Sequence, residues 1–203
     1  MSRRQSVRGG ARGRRGLVAV VLLAAVAVGV VVVVPLIERL VREFTYPLKD
    51  AAIINRQARS EHLDPALIAA VIYAESKFDP RTSSAGALGL MQIEPATARY
   101  LAHLSGGTTF KVADLAHPAV NIAYGSYYLR YLLNLYGDNR TLALAAYNAG
   151  TTNVNRWVAR ARASGRPLTT AAIPFPQTRA YVAKVEAATK TYRRYYAKLL
   201  GPP

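Results

Sequence analysis

The longest apolar segment of the chain runs from Leu17 to Ile37, 21 residues without a charged or strongly polar side chain. A helix of this length is about 30 Å long, enough to cross the hydrocarbon core of a bilayer. The segment has no polar face, which argues against a helix buried in a globular core. It is longer than the apolar region of a secretory signal, and no small-x-small cleavage site follows it. The sequence therefore predicts a retained transmembrane helix over residues 17–37.

Charged residues flank this segment unequally. Residues 1–16 contain six arginines and no acidic residue, whereas residues 38–50 contain three basic and three acidic side chains. Basic residues are enriched on the cytoplasmic side of membrane helices. We therefore expect a basic cytoplasmic tail over 1–16, a linker over 38–45 and an extracytoplasmic domain over 46–200 in a single-pass protein of the cell membrane.

The net charge of the whole chain is +16, and residues 51–203 carry 18 basic and 8 acidic side chains, a net of +10. Outside a membrane this charge favours a polyanionic envelope polymer or anionic lipid headgroups as partner rather than nucleic acid. A merely solubilising basic surface is the other interpretation. The absence of cysteine excludes disulfide scaffolds, thiolate metal sites and cysteine nucleophiles. The three histidines (His62, His103 and His117) are not at metal-ligand spacing, so we expect neither a metal nor a cofactor.

The region after Tyr46 is predicted to be all-α, with about six to eight helices and little sheet. Asp64-Pro65 is a capping residue followed by a proline suited to the first helical position. Apolar spacing predicts that this helix continues to Glu75, and that further helices begin at Pro95, cover 121–136 and 141–147, and follow Pro176. No convincing period-two alternation indicates a strand. Residues 162–176 are expected to form a loop.

Glu75 is the first candidate for chemistry. It lies three and four residues after Ile72 and Val71, and so on the apolar face at the C-terminal end of its predicted helix. Burial and the negative end of the helix dipole both raise the pKa of a carboxyl group. A carboxyl that stays protonated near neutral pH is suited to general acid catalysis. The alternative is an exposed glutamate paired with Lys77.

Two later segments contain small and polar residues suited to a ligand site. Residues 83–92 read Ser-Ser-Ala-Gly-Ala-Leu-Gly-Leu-Met-Gln, in which the glycines allow close approach of the backbone to a ligand. Gln92 offers a donor and an acceptor to a sugar amide. Residues 146–150 read Ala-Tyr-Asn-Ala-Gly and add the hydroxyl of Tyr147 and the carboxamide of Asn148.

Together these segments resemble the soluble lytic transglycosylase (SLT) family. The resemblance rests on Glu-Ser-Lys-Phe-Asp-Pro at 75–80, Gly-Ala-Leu-Gly-Leu-Met-Gln at 86–92, Pro-Ala-Thr-Ala at 95–98 and Ala-Tyr-Asn-Ala-Gly at 146–150. Residues 178–185 resemble the closing motif of the family. Each motif alone is weak, but four in the same order and spacing are specific. The resemblance covers about residues 46–198.

The resemblance implies a goose-type, lysozyme-like helical domain that acts on peptidoglycan glycan strands. It implies cleavage of the β-1,4 bond between N-acetylmuramic acid and N-acetylglucosamine without water, leaving a 1,6-anhydro end. Glu75 would be the catalytic acid and base. The substrate-binding residues implied are Ser83, Ser84, Gly89, Leu90, Met91, Gln92, Tyr147, Asn148 and Tyr181. Proteins of cell-wall synthesis or division are candidate partners.

The sequence departs from the family pattern in three ways, of which the first is that the segment between Glu75 and Gly89 is one residue shorter than usual. Ser83 matches the substrate-contacting serine when counted back from Gly89, and Ser84 matches when counted forward from Glu75; we favour Ser83. Gln177 stands where many members have glutamate. Glu94 occupies a position that is usually apolar, either as a second carboxylate of the cleft or, as we favour, as a solvated capping group.

Other aromatic and basic residues are interpreted more simply. Tyrosines crowd one predicted helix and are expected to pack in the core and the cleft wall, although some could stack on sugars (Tyr124, Tyr127, Tyr128 and Tyr131). Trp157 is expected to be a packing anchor. Arginines 156, 160, 162 and 166 either hold carboxylates of the peptide stems or form a solvated loop. Two other functions stay open: a goose-type muramidase that hydrolyses the same bond with Glu94 or Asp79 as base, and an inactive glycan-binding scaffold.

Overall fold

A computed structural model describes residues 10–202. These residues divide into two compact units, one ending at Thr45 and the other beginning at Tyr46. The basic tail predicted for residues 1–16 lies largely outside the described residues, because the description begins at Gly10.

The first unit is helical throughout its described length. Helix α1 (Gly10–Val28) continues through a π-helical stretch (Gly29–Val33) into α2 (Val34–Thr45). Pro35 has no N–H to donate, so a local change in the hydrogen-bond register is expected beside it. Among residues 10–202, one helix, Gly16–Thr45, is long and apolar enough to cross a membrane. Residues 38–45, predicted as a linker, are helical.

The second unit is mostly helical, which confirms the predicted all-α class. Its helices are α3 (Ala51–Glu61), α4 (Pro65–Ser76), α5 (Pro95–Leu104), α6 (Pro118–Leu135), α7 (Arg140–Ala149), α8 (Thr151–Ala163) and α9 (Pro176–Tyr195). Short 3₁₀ turns cover Val112–Ala116 and Thr170–Ala172. The segment 162–176, predicted as a loop, therefore begins in the last turn of α8 and contains one of these turns.

Helix α4 is the centre of the core. Asp64 caps it through a hydrogen bond that its carboxylate accepts from the N–H of Ala66 (2.9 Å), and Pro65 occupies the first turn, as predicted. Residues 65–72 are buried on every face of the helix, more completely than the single apolar stripe expected from the sequence. α4 packs most extensively against α9 and also contacts α3. This packing fixes the C-terminal turn of α4, which carries Glu75.

A small antiparallel hairpin follows α4. Strand β1 (Arg81–Thr82) pairs with β2 (Leu88–Gly89), with Arg81 opposite Gly89 and Thr82 opposite Leu88. The Ser83 hydroxyl accepts a hydrogen bond from the N–H of Ala87 (3.0 Å) and so closes the loop between the strands. The hairpin is too short to be recognised by residue alternation. It brings the glycine-rich segment back beside the end of α4.

Candidate active site

A cavity of about 420 Å³ opens beside the C-terminal end of α4. Its walls come from α4, the hairpin and the turn after it, the start of α5, the middle of α6 and the junction between α7 and α8. The structure thus gathers in one place residues that are far apart in sequence. The lining residues include Glu75, Ser83, Gln92, Glu94, Thr97, Tyr128, Tyr147, Asn148 and Gly150.

Glu75 is partly buried in this cavity. Burial is the largest influence on its carboxyl group and raises its pKa from 4.5 to about 7. The Tyr181 hydroxyl and the positive charge of Lys184 act in the opposite direction and limit the rise. A carboxyl with this pKa can give up a proton and take it back near neutral pH. Within residues 10–202 Glu75 forms no ion pair with Lys77, which is exposed.

Helix α9 supplies two groups that face Glu75. Tyr181 is 8% exposed, and its buried hydroxyl makes no hydrogen bond of ordinary geometry within the described residues. The Lys184 ammonium donates to the carbonyl of Ala74 (2.9 Å) and lies 5.1 Å from the centre of the Tyr73 ring. Lys184 was not predicted as a site residue. Its spacing of three residues from Tyr181, on one helix face, is the signal that could have identified it.

The loop that carries Leu90 and Met91 is held by Asn121 of α6. The Asn121 carboxamide accepts from the N–H of Met91 (2.7 Å) and donates to the carbonyls of Leu88 and Leu115 (2.8 and 3.0 Å). Gly89 lies against this carboxamide with a left-handed φ of 76°, and a Cβ there would stand 2.2 Å from the Asn121 nitrogen. No larger residue fits this position without displacing the loop. Asn121 is a second residue that the sequence analysis missed.

The Leu90 and Met91 side chains are in the core rather than in the cavity, at 2% and 0% exposure. Of this pair, the backbone faces the site: the Met91 carbonyl accepts a hydrogen bond from the Tyr147 hydroxyl (2.9 Å). Burial and the neighbouring Glu75 carboxylate raise the pKa of Tyr147 well above its ordinary value, so this hydroxyl remains a donor. Tyr147 therefore joins the loop to the cavity wall.

Gln92 lines the cavity with a left-handed φ of 50°. Its amide nitrogen donates to the carbonyls of Arg81 and Gly89 (both 2.8 Å). The donor that the sequence analysis assigned to a sugar is thus used within the hairpin, and it fixes the turn that brings Gln92 into the wall. The carbonyl oxygen of this carboxamide is the acceptor available for a ligand.

The two serines separate clearly. Ser83 lines the cavity, whereas Ser84 is exposed at the hairpin tip outside it. Glu94 also lines the cavity and is exposed. It occupies the N-cap position of α5 and is exposed to solvent, as favoured from the sequence, but it forms no side-chain capping hydrogen bond, and it also borders the cavity, as the alternative interpretation expected. Asp79, the other acid considered, is exposed outside the lining residues.

Asn148 and Gly150 form the wall at the junction between α7 and α8. The Asn148 carboxamide oxygen accepts a hydrogen bond from the Thr178 hydroxyl (2.9 Å), which is buried at the start of α9. Gly150 ends α7 and begins α8 with a φ of 80°. Thr178 was not singled out, although it opens the closing motif. Because the Thr178 hydroxyl holds the oxygen of the Asn148 carboxamide, the amide nitrogen is the atom that faces away from α9.

The remaining candidates lie elsewhere. Trp157 is buried and packs edge-on against Phe175 (ring centres 4.8 Å apart), which confirms its role as a packing anchor. Arg160 and Arg166 border a different cavity, and Arg156 and Arg162 are exposed on α8. Tyr124 stacks on Phe110 (4.5 Å). Within residues 10–202, no three His, Cys, Asp or Glu residues lie close enough to hold a metal ion.

Comparison with known proteins identifies this domain. The transglycosylase SLT domain family model matches residues 52–168. The chain is 34% identical over 164 residues to the soluble lytic murein transglycosylase of Salmonella typhimurium, covering 78% of this chain and 24% of that protein. It is 31% identical over 168 residues to the membrane-bound lytic murein transglycosylase C of Shigella sonnei, covering 72% and 47%.

Solved structures agree with the sequence matches. The structure of an inactive mutant of the lytic transglycosylase Slt from Pseudomonas aeruginosa superposes with a TM-score of 0.69 at 30% identity, covering 79% of this chain and 26% of that one. The chain thus spans about a quarter of the length of the soluble relatives. The family match covers more than half of the chain, and the predicted resemblance is confirmed: the chain belongs to the transglycosylase SLT domain family.

Proposed function

We propose that this protein is a membrane-anchored lytic transglycosylase, a carbon–oxygen lyase that acts on peptidoglycan. Its relatives are named as lytic murein transglycosylases, soluble in one case and membrane-bound in another. The domain shared with them contains the cavity and its carboxyl group. The bond cleaved would be the β-1,4 linkage from N-acetylmuramic acid to N-acetylglucosamine.

The observation that carries this proposal is the environment of Glu75. A carboxyl group with its pKa raised to about 7 by burial lies in a cavity lined also by hydroxyl and carboxamide side chains and by the exposed carboxylate of Glu94. Such an acid can protonate the glycosidic oxygen as the bond to the anomeric carbon breaks, and the electron pair leaves with the N-acetylglucosamine oxygen. In support, the inactive mutant of the Pseudomonas relative carries a glutamate-to-glutamine substitution.

The second step returns the proton. The C6 hydroxyl of the muramyl sugar attacks its own anomeric carbon, forming the 1,6-anhydro bond, and gives its proton to the Glu75 carboxylate. The enzyme is then restored, and no water has been consumed. An ordinary glycosidase needs a second carboxylate across the bond, to act as nucleophile or to activate water. In this mechanism the acetamido group of the substrate and the Tyr147 hydroxyl stabilise the positive charge that develops.

The other predicted site residues fall into three roles in this proposal. Ser83, Gln92 and Asn148 present polar atoms to the sugars, since they line the cavity with Glu75. Gly89, Leu90 and Met91 act through backbone position, because Asn121 and Tyr147 hold their loop. The Tyr181 hydroxyl faces the Glu75 carboxyl group and lowers its pKa, which limits the rise caused by burial. Ser84 is exposed outside the cavity lining and has no role in this proposal.

We further propose that the helix around residues 17–37 anchors the protein, with the domain at 46–200 on the extracytoplasmic side. The apolar side chains of this helix are exposed along its length, and a membrane would cover them. The arginines in residues 1–16 favour a cytoplasmic N-terminus. A protease added outside intact cells should digest the 46–200 domain and spare an epitope placed at the N-terminus. Protection of the domain together with loss of the epitope would reverse the orientation.

A goose-type muramidase is the second candidate, because Glu94 lines the same cavity as Glu75 and could activate a water. The third is a scaffold that binds glycan without cleaving it. Full-length protein in detergent, incubated with purified peptidoglycan, should release soluble muropeptides. Binding without release of muropeptides would favour the scaffold. Release would show that the protein is an enzyme, and the chemical identity of the new sugar end would then distinguish a lytic transglycosylase from a muramidase.

A further inference from the structure

Three tyrosines form a continuous line of rings that leads out of the cavity. Tyr128 of α6 lines the cavity, and its ring centre lies 5.2 Å from that of Tyr147. Tyr131, one turn further along α6, stacks on Tyr128 at 6.4 Å with an angle of 15° between the ring planes. Tyr100 of α5 meets Tyr131 at 6.0 Å, edge to face. We call Tyr128, Tyr131 and Tyr100 the tyrosine track.

The outer end of the tyrosine track is accessible. Tyr100 is 47% exposed, and Tyr131 is partly exposed. Their hydroxyl groups lie 3.2 Å apart and hydrogen-bond to each other, which holds both rings in place at the surface. A tyrosine placed only to fill the core would bury its ring. Here successive rings are instead held in order from the cavity to the solvent.

We infer that the tyrosine track is a glycan-binding surface that holds the part of the strand lying beyond the cavity. The inference rests on the proposed function, since it takes the occupant of the cavity to be a sugar of the same strand. A polymer cleaved in the cavity must continue out of it on at least one side, and the track is continuous with the wall that contains Tyr147.

The chemistry of tyrosine fits this occupant. The C–H faces of a β-1,4-linked pyranose chain are apolar, whereas its edges carry hydroxyl and acetamido groups. A tyrosine offers an apolar ring face and a polar hydroxyl on one side chain, and it loses little conformational entropy when it binds. A row of such rings suits an uncharged sugar backbone of any length. Charged groups of the substrate would contact other parts of the protein surface.

Binding of the full-length protein to insoluble peptidoglycan tests the inference without turnover. All variants are made in a Glu75→Gln background, and the bound fraction is measured by sedimentation in detergent. Tyr100→Ala and Tyr131→Ala should each weaken binding by about three- to tenfold, as expected for the loss of one aromatic contact. Tyr100→Phe keeps the ring but loses the hydrogen bond to Tyr131, and it should weaken binding less than Tyr100→Ala. Tyr127→Ala, on the same helix but off the track, is the matched control and should bind like the parent.

The same substitutions in the active protein separate this inference from the proposed function. Tyr100→Ala should raise KM for long strands by a similar factor with kcat unchanged, and it should not alter cleavage of fragments short enough to fit the cavity. Unchanged binding by Tyr100→Ala, or an equal loss in Tyr127→Ala, would overturn the inference alone. If the wild-type protein cleaves nothing but its binding still depends on Tyr100, the proposed function is overturned and the glycan-binding role of the tyrosine track stands.

Discussion

Glu75→Gln should abolish cleavage of peptidoglycan while leaving binding intact. The amide keeps the volume and hydrogen-bonding capacity of the carboxyl group but has no acidic proton to give. General acid–base catalysis contributes about 10²–10⁴-fold, and the mechanism assigns both proton transfers to this one group. The measurement is the rate of muropeptide release by the full-length variant in detergent.

Glu94→Gln is the matched control, because Glu94 lines the same cavity. The account predicts that this variant keeps most of its activity, since no step requires a second carboxylate. An inactive Glu94→Gln beside an active Glu75→Gln would transfer the acid to Glu94. Loss of activity in both would indicate a two-carboxylate mechanism and would favour hydrolysis.

The dependence of the rate on pH should follow the same carboxyl group. Cleavage begins with protonated Glu75, so kcat/KM should fall as pH rises through a pKa of about 7. A stability measurement reports this pKa independently of turnover. Because folding raises the pKa of Glu75, ionisation opposes folding, and the wild-type protein should lose stability between about pH 4.5 and 7 relative to Glu75→Gln. The difference should reach up to about 3 kcal/mol above pH 7, and a difference independent of pH would contradict the buried environment.

Tyr147→Phe should slow cleavage by about 10- to 100-fold, the second-largest effect we expect. The substitution removes the hydroxyl that donates to the Met91 carbonyl, and so one of the two hydrogen bonds that hold the Met91 peptide in place. It also removes a polar atom from the cavity beside Glu75. Misplacement of positioning groups and loss of single stabilising donors have effects of this size. The loss should appear in kcat rather than in binding to insoluble peptidoglycan.

Tyr136→Phe provides the control for this measurement. The Tyr136 hydroxyl donates to the Asn155 carboxamide oxygen at 3.0 Å, on the surface and away from the cavity. Its removal costs a hydrogen bond of similar length at the surface, where water can replace it, so this variant should keep the wild-type rate and nearly the wild-type thermal stability. A wild-type rate in Tyr147→Phe would remove this hydroxyl from the mechanism.

Local signals were sufficient to predict the element that carries Glu75. Asp64 and Pro65 define the start of α4, and the apolar run after them requires burial, so a carboxyl group in its last turn is expected to be partly buried. The direction of its pKa shift follows from that position alone. By contrast, Lys184 reaches the end of α4 from 110 residues further along the chain, and only the packing of α9 on α4 brings them together.

Local signals were also ambiguous in places. The sequence predicted a helix over 141–147, but α7 extends to Ala149 and α8 follows it directly, because Gly150, with a φ of 80°, ends one helix and begins the next without a loop. Helix α8 buries only Val154 and Trp157, too few for a clear apolar period. Both polar atoms of the Gln92 side chain were predicted to bind a ligand. The left-handed backbone of Gln92 instead turns the amide nitrogen toward the hairpin, and nothing in the sequence indicates this backbone conformation.

The identity of the new sugar end tests the central claim most directly. Full-length protein in detergent is incubated with purified peptidoglycan in oxygen-18-labelled water, and the products are analysed by mass spectrometry. If the muramyl C6 hydroxyl attacks the anomeric carbon, the muropeptides will end in 1,6-anhydro sugars, will be one water lighter than reducing products and will contain no oxygen-18. Reducing ends that carry oxygen-18 would contradict the account and show that the protein is a muramidase.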